Sequence, residues 1–220
     1  LATSRRYLTT NTFVADSLFR SGDGANWANL GVYSTDGGDK GDYAVSDDNK
    51  VFIPRSDGLN GPYFDVSADN GDTWTATGNL TNGINSVAVS ATGDTIIVGN
   101  TNGVRYSHDG GATWNDATGG GWGHSENGGA AVLPNGDVYV AGPGKIYKST
   151  DGGQTFSDLT PDPWIVMTGI SHFHYHRPSA KFFIKNGPYG LLESADCITW
   201  TGVPALEAGG ITDLAYSENY

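Results

Sequence analysis

Histidines at alternate positions form the densest group of metal-ligating side chains in the sequence. His172, His174 and His176 are separated by Phe173 and Tyr175. Alternate residues of a β-strand project from one face, so we expect the three imidazoles on the same face of one strand. Two neighbouring imidazoles can share a zinc or copper ion, and His172 and His174 are our candidate ligands. Stacking of polar side chains within strand packing is the alternative.

Carboxylates concentrate in the segment Asp36-Gly-Gly-Asp39-Lys-Gly-Asp42. Carboxylate and carbonyl oxygens are the ligands that Ca²⁺ prefers, so this segment is a candidate calcium site, although it lacks the full spacing of a known calcium loop. A solvated acidic loop is the alternative. Calcium (Ca) and zinc (Zn) are the cofactors that the sequence suggests, and it firmly implies neither.

An aromatic residue surrounded by glycines and polar groups marks the first candidate binding loop. Trp122 is followed by His124 and Glu126 within residues 119–127. An indole ring can stack on a sugar while polar neighbours bond its hydroxyls; folding back over a sheet edge is the alternative. Four further loop residues complete the candidate ligand-binding set: Trp164, Tyr189, Arg55 and Asp57. For Arg55 and Asp57, a surface ion pair is the alternative.

A short segment recurs five times along the chain. Ser67-Ala-Asp-Asn-Gly-Asp-Thr-Trp74 returns as Ser107-His-Asp-Gly-Gly-Ala-Thr-Trp114 and as Ser149-Thr-Asp-Gly-Gly-Gln-Thr-Phe156. Two shorter relatives are Ser21-Gly-Asp-Gly-Ala-Asn-Trp27 and Ser194-Ala-Asp-Cys-Ile-Thr-Trp200. We call these segments boxes 1 to 5 in chain order. Their first serines lie 46, 40, 42 and 45 residues apart, a period typical of repeat architectures.

The residue types of each box predict a structural turn. An Asp side chain can accept hydrogen bonds from backbone N–H groups of the turn, and Gly supplies positive φ. The closing aromatic is a large apolar side chain suited to a gap between sheets. The predicted structural residues are Asp23, Asp69, Asp109, Asp151, Asp196, Trp27, Trp74, Trp114, Phe156 and Trp200.

The boxes resemble the Asp-box (BNR) repeat of sialidases, sortilin-type receptors, xyloglucanases and photosystem assembly factors. The resemblance covers the whole chain, and boxes 2 to 4 match the pattern well. Boxes 1 and 5 lack one residue, and Cys197 stands near the place where Gly is expected. The resemblance implies a β-propeller and is nearly silent about activity.

Four short strands per repeat predict an all-β fold, a single five-bladed β-propeller over residues 1–220. The predicted blades are 1–27 plus 210–220, 42–75, 84–115, 128–157 and 169–201. Residues 210–216 resemble residues 83–89, an innermost strand, whereas residues 1–27 offer no first strand. We therefore expect the C-terminal strand to pair into the N-terminal blade, which removes open sheet edges. An excerpt from a longer propeller is the alternative.

In such a fold the boxes share one face with the connections between first and second strands. The opposite face, which we call the loop-rich face, carries the interblade loops, and functional residues concentrate on such loops. We predict these loops at 27–41, 75–83, 115–128, 157–169 and 201–210. They share little sequence, which favours one asymmetric site over repeated sugar sites.

Sialidase activity is disfavoured, because the resemblance would require three arginines around a carboxylate. Of the six arginines, only Arg55 is placed clearly on the loop-rich face, and Arg177 falls in a turn on the box side. Another glycoside hydrolase would need two carboxyl groups roughly 5–10 Å apart. Asp36, Asp57, Glu126 and Glu207 are candidates for such a pair.

Charge and composition limit the partners. The net charge of −12 disfavours nucleic acid and anionic membranes, and no apolar run approaches the roughly 20 residues of a membrane span. One cysteine excludes an intrachain disulfide. The chain begins at Leu1 without a visible signal peptide, so we expect a mature, processed or excised form.

These observations favour a non-catalytic recognition module. We expect it to bind a glycan or a protein surface through the loop-rich face, outside a cell or on a particle surface. One alternative is a structural or decoration subunit of a larger extracellular or virion-like assembly. A second alternative is a glycoside hydrolase.

Overall fold

The fold is described from a computed structural model of the 220-residue chain. It describes residues 6–10, 16–23, 25–34, 43–56, 62–80, 84–100, 103–120, 129–142, 145–159, 170–186 and 190–203. The predicted closing strand, residues 210–216, lies outside these ranges.

The described residues form nineteen β-strands and one short 3₁₀ turn, Arg177–Ser179. We group the strands into units 1 to 5 in chain order. Unit 1 contains β1 Arg6–Thr10, β2 Asp16–Ser21 and β3 Ala28–Ser34; unit 2 contains β4 Ala44–Val45, β5 Val51–Ser56, β6 Pro62–Ser67 and β7 Thr75–Asn79. Unit 3 contains β8 Ile84–Val89, β9 Ile96–Asn100, β10 Gly103–Ser107 and β11 Asn115–Asp116. Unit 4 contains β12 Gly129–Val132, β13 Val138–Gly142, β14 Lys145–Ser149 and β15 Ser157–Asp158; unit 5 contains β16 Ile170–His176, β17 Lys181–Asn186, β18 Gly190–Ser194 and β19 Thr201–Gly202.

Each strand pairs with the next one in its unit. Units 3, 4 and 5 are four-stranded antiparallel sheets in simple meander order. Units 1 and 2 belong to one seven-stranded sheet, because Ser34 and Ser56 form a single parallel bridge between β3 and β5. The all-β prediction is confirmed, and the prediction of four-stranded antiparallel sheets is confirmed for units 3, 4 and 5.

Second strands are the most deeply buried elements of units 3 and 4. Every residue of β9 and of β13 is buried. Their sequences, Ile-Ile-Val-Gly-Asn and Val-Tyr-Val-Ala-Gly, are continuous apolar runs rather than alternating ones. A strand reads this way when its sheet is covered on both faces, so each of these sheets is packed between two neighbours.

Apolar seams between consecutive units form the core. The first seam joins units 1 and 2 around Leu18, Val51 and Ile53. The second joins units 2 and 3 around Phe52, Phe64 and Ile96, and the third joins units 3 and 4 around Ile97, Val140 and Phe156. The fourth joins units 4 and 5 around Tyr139, Phe173 and Phe182.

All five predicted interblade loops are shorter than expected. Those predicted at 115–128, 157–169 and 201–210 begin with β11, β15 and β19, which pair with the strands before them. Residues 27–41 were predicted as a loop, but β3 occupies Ala28–Ser34 and pairs with β2. Residues 75–83 begin with β7, which pairs with β6. Arg55, predicted at the start of a loop, lies inside β5 opposite Tyr63. In each case backbone pairing with the preceding strand extends the sheet into residues whose turn-forming neighbours suggested a loop.

Candidate functional site

One end of the units carries all five boxes, and we call it the box face. It also carries the connections between first and second strands of units 2 to 5, at residues 46–50, 90–95, 133–137 and 177–180. The second-to-third-strand connections and the loops between units belong to the opposite, loop-rich face. Most residues of these connections and interunit loops lie outside the described ranges.

Box 3 shows how a box holds its own turn. The Ser107 hydroxyl donates to Asp109 Oδ1 at 2.8 Å and accepts from the Gly111 N–H at 2.8 Å. Asp109 Oδ1 also accepts the Thr113 N–H at 2.8 Å, and Oδ2 accepts the Thr113 hydroxyl at 2.7 Å. Gly111 has φ +94°, which an L side chain rarely adopts. The Asp109 carboxylate is therefore engaged in hydrogen bonds within its own turn.

The same bonds recur in boxes 2 and 4. Hydrogen bonds from the backbone N–H and hydroxyl of the box threonine lower the pKa of Asp69 and of Asp109 to about 2. In box 4, burial is the largest single effect and would raise the pKa of Asp151, but the hydrogen bonds from Ser149, Thr155 and Gln154 together outweigh it and lower the pKa to about 2. These carboxylates stay ionised at every physiological pH, so they are poorly suited to proton transfer.

The shortened boxes keep the serine and aspartate but change the turn. In box 5, Asp196 Oδ1 accepts the N–H groups of Ile198 and Thr199 at 2.8 and 2.7 Å. Cys197 adopts φ +60° and is fully buried in the fourth seam, so it takes the conformation that Gly takes elsewhere. Burial raises the pKa of the Cys197 thiol far above its usual value, which removes thiolate reactivity.

The box aromatics pack into the seams. Trp74, Trp114 and Trp200 pack against the first, second and fourth seams, and Phe156 is buried in the third. Trp27 of box 1 differs, because 40% of its surface is exposed.

Polar contacts tie neighbouring units together on the box face. Arg20 Nη2 lies 2.8 Å from Asp72 Oδ1, Lys50 Nζ donates to Thr92 O at 2.8 Å, and His108 Nε2 lies 2.8 Å from Gly152 O. A fourth ion pair, Arg177 with Asp47, joins units 5 and 2, which are not consecutive in the chain. The described box face is thus engaged in holding the units in place.

A β-bulge interrupts the alternation of the three histidines in β16. The pairing with β17 shifts between Ser171 and His174, and His172 adopts φ +59° and is exposed. His174 is largely buried, and burial, with the positive charges of His176 and Arg177, lowers its pKa to about 4. The bulge corrects the expectation that regular alternation places all three side chains on one face.

Metal binding by these residues stays a prediction. A neutral His174 imidazole is the protonation state that metals require. The His176 ring has a local partner, since Nδ1 lies 2.7 Å from Ser179 Oγ. Within the described part of the chain, no group of three or more His, Cys, Asp or Glu side chains is arranged to hold a metal ion. The calcium candidate, residues 36–42, lies outside it.

Most of the candidate ligand-binding residues, which were predicted on the loop-rich face, lie outside the described ranges. Arg55 is placed only through its backbone, in the part of β5 that approaches this face. The structure therefore does not test whether the set comes together. The residues outside the described ranges are Trp122, His124, Glu126, Trp164, Tyr189 and Asp57.

Sequence reasoning did not single out a polar cavity on unit 5. It has a volume of about 280 Å³ and is lined by Lys181, Glu193, Ser194, Ala195, Asp196, Thr199 and Thr201. Lys181 Nζ lies 2.7 Å from Glu193 Oε1, so these two charges neutralise each other, and the Asp196 carboxylate is the third charged group of the lining. A Lys and a Glu on neighbouring strands are the signal that could have indicated it.

Comparisons with known proteins identify the fold. No family model and no curated protein sequence matches the chain. Among solved structures, the GH74 enzyme of Niastella koreensis matches with a TM-score of 0.62 and 20% identity over 92% of this chain and 30% of that one. A nidogen/laminin complex matches with a TM-score of 0.62 and 13% identity over 87% and 74%. YCF48 bound to D1 peptide matches with a TM-score of 0.56 and 13% identity over 91% and 59%.

These neighbours are β-propeller proteins, so the chain has a propeller fold. It spans less than a third of the GH74 enzyme and somewhat over half of YCF48. At sequence identities of this size, structural similarity shows the fold and does not show an activity. Among the described residues, no helix has both the length and the hydrophobicity that a membrane span requires.

Proposed function

We propose that the chain is a non-catalytic recognition module that binds a glycan or a protein surface through its loop-rich face. The contrast between the two faces supports this proposal most directly. On the box face, the same hydrogen bonds recur from box to box, and ion pairs join the units. Because the side chains of the box face hold the fold together, we expect the variable loops of the opposite face to determine binding specificity.

We further propose that the units are the blades of one five-bladed ring with Asp-box repeats, closed by residues 210–216. The ion pair between Arg177 and Asp47 supports a small ring. Packed sheets lie about 10 Å apart, so units 2 and 5 would be about 16 Å apart in a ring of five and about 22 Å apart in a ring of seven. One side-chain pair bridges the smaller ring more easily.

A glycan or peptide ligand fits the residue types of the candidate set. Trp122 and Trp164 offer flat apolar surfaces, and His124 and Glu126 offer hydrogen-bonding groups. One structural neighbour is described as bound to a peptide and another as part of a protein complex, whereas the GH74 protein is an enzyme. The propeller fold therefore accommodates either role, and we place this chain with the binders, outside a cell or on a particle surface.

Tryptophan substitutions on the two faces test the proposal. Wild-type protein is applied to a glycan array and to immobilised candidate proteins, together with Trp122→Ala, Trp164→Ala and the control Trp27→Ala, whose indole is exposed at box 1. We expect either loop variant to weaken binding at least tenfold, because stacked aromatic anchors carry much of such an interaction. Equal losses in all three variants would contradict a site on the loop-rich face.

The two alternatives have separate readouts. Turnover of chromogenic glycosides that Glu126→Gln abolishes would identify a glycoside hydrolase and refute the non-catalytic proposal. Recovery of the chain as a stoichiometric component of a purified particle, with no binding on either array, would identify a structural subunit.

A further inference from the structure

One ion pair on the box face joins two units that do not follow each other in the chain. Arg177 begins the 3₁₀ turn between β16 and β17 of unit 5, and Asp47 lies in the turn between β4 and β5 of unit 2. The two residues are 130 positions apart. Every other described ion pair lies within one unit or between consecutive units.

The Asp47 turn is anchored to unit 3 before it meets Arg177. The Asp47 N–H donates to Ala91 O at 2.9 Å, and Lys50 Nζ donates to Thr92 O at 2.8 Å. The Asn49 N–H closes the turn on Ser46 O at 2.9 Å. A carboxylate on a turn held from two sides loses little freedom when it forms an ion pair.

The Arg177 turn is also held by its own contacts. Pro178 fixes the first part of the 3₁₀ turn, and the Ala180 N–H donates to Arg177 O at 3.1 Å. His176 Nδ1 lies 2.7 Å from Ser179 Oγ. The Arg177 side chain is 22% exposed, which strengthens a charged contact relative to a fully solvated pair, whereas the Asp47 side chain is 60% exposed and is screened by solvent.

Unit 1 is the unit that this contact bypasses, and its described apolar packing is sparse. The first seam contains three buried residues among those described, Leu18, Val51 and Ile53, whereas the other seams contain eight to ten. Trp27 remains 40% exposed, whereas Phe156, at the equivalent box position, is 5% exposed. Segments with little buried apolar surface open first.

We propose that Arg177 and Asp47 form a clasp that ties unit 5 to unit 2 and keeps units 2 to 5 together when unit 1 opens. This inference rests on the proposed ring of five units, in which units 5 and 2 flank unit 1 and the clasp acts in parallel with the seams on either side of that unit. It concerns the opening of the molecule and does not depend on what the loop-rich face binds.

Hydrogen exchange on the full chain tests the clasp, with peptides from units 1, 2 and 5 followed separately. In the wild type we expect unit 1 to exchange faster than β4 and β16. In Arg177→Ala and in Asp47→Ala we expect exchange at β4 and β16 to rise roughly two- to fivefold, the range for a partly exposed ion pair. Lys145→Ala is the control, because its pair with Asp158 lies within unit 4 and is comparably exposed.

Non-additivity separates a clasp from two unrelated surface effects. The double variant Arg177→Ala/Asp47→Ala should exchange no faster than either single variant, and the reversed pair Arg177→Asp/Asp47→Arg should restore protection. Additive increases, failure of the reversed pair to restore protection, or changes confined to residues 46–50 and 176–181 would each overturn the proposal. So would an equal effect of Lys145→Ala.

Discussion

The Ser107 hydroxyl makes two hydrogen bonds for which box 3 has no substitute. It is fully buried, donates to Asp109 and accepts the buried Gly111 N–H. Ser107→Ala leaves that N–H without its acceptor, which should lower the free energy of unfolding by about 1–3 kcal/mol. Ser157→Ala is the control, since Ser157 is exposed and should change stability by about 0.5 kcal/mol or less. Urea unfolding measures both, and equal effects would contradict the role of the buried hydroxyl.

Acid should weaken the boxes through their aspartates. The pKa of Asp109 is about 2 in the folded protein, below its ordinary 3.8, because Thr113 and Ser107 bond the carboxylate. A lowered folded-state pKa contributes stability that is present above the unfolded value and is lost as pH falls from about 4 through about 2. Asp109→Asn should therefore be less stable than wild type at pH 6 and should converge with it near pH 2. A difference that stays constant in unfolding experiments across this range would contradict the linkage.

At the scale of elements, Gly129 allows two first strands to approach. It has φ +107°, and a Cβ there would lie 2.7 Å from Phe173 O, a backbone atom of β16. Gly129→Ala must therefore shift one strand, and we expect about 2–4 kcal/mol of destabilisation. Gly136→Ala separates strain from contact, because Gly136 has φ +86° with nothing within 4 Å and should cost about 1–2 kcal/mol. Equal losses in thermal unfolding would mean that conformation alone matters.

The strands and turns also show how much of the structure could be predicted from the sequence. The boxes and four-stranded units were predictable, because turn chemistry and strand alternation are local and repeat with the chain's own period. The bulge in β16 was not, since His172 to His176 alternate without interruption and the shift depends on pairing with β17. Nor could sequence indicate that Arg177 meets Asp47 across 130 residues. The candidate binding loops carry suggestive residue types, but their arrangement depends on tertiary contacts that no local pattern specifies.

At the scale of the whole molecule, apolar seams of similar arrangement join consecutive units. A repeat protein gains stability mainly from the interfaces between its units, so the seam with the least buried apolar surface limits the stability of the whole. Trp27 of unit 1 is 40% exposed, whereas Phe156, at the equivalent position of box 4, is 5% exposed. We therefore expect unit 1 to be the first to unfold, while units 2 to 5 behave as the more cooperative part.

A pair of tryptophan substitutions compares two box aromatics that differ in burial. Trp114 packs edge-on against Phe64 at 5.2 Å in the second seam, so Trp114→Ala should destabilise by about 3 kcal/mol or more. Trp27 occupies the equivalent place in box 1 but is 40% exposed, so Trp27→Ala should cost about 1 kcal/mol or less. Urea unfolding gives the global effect, and hydrogen exchange shows whether the smaller loss is confined to unit 1. A Trp27 effect as large as that of Trp114, spread over all units, would mean that unit 1 is as firmly bound as the others.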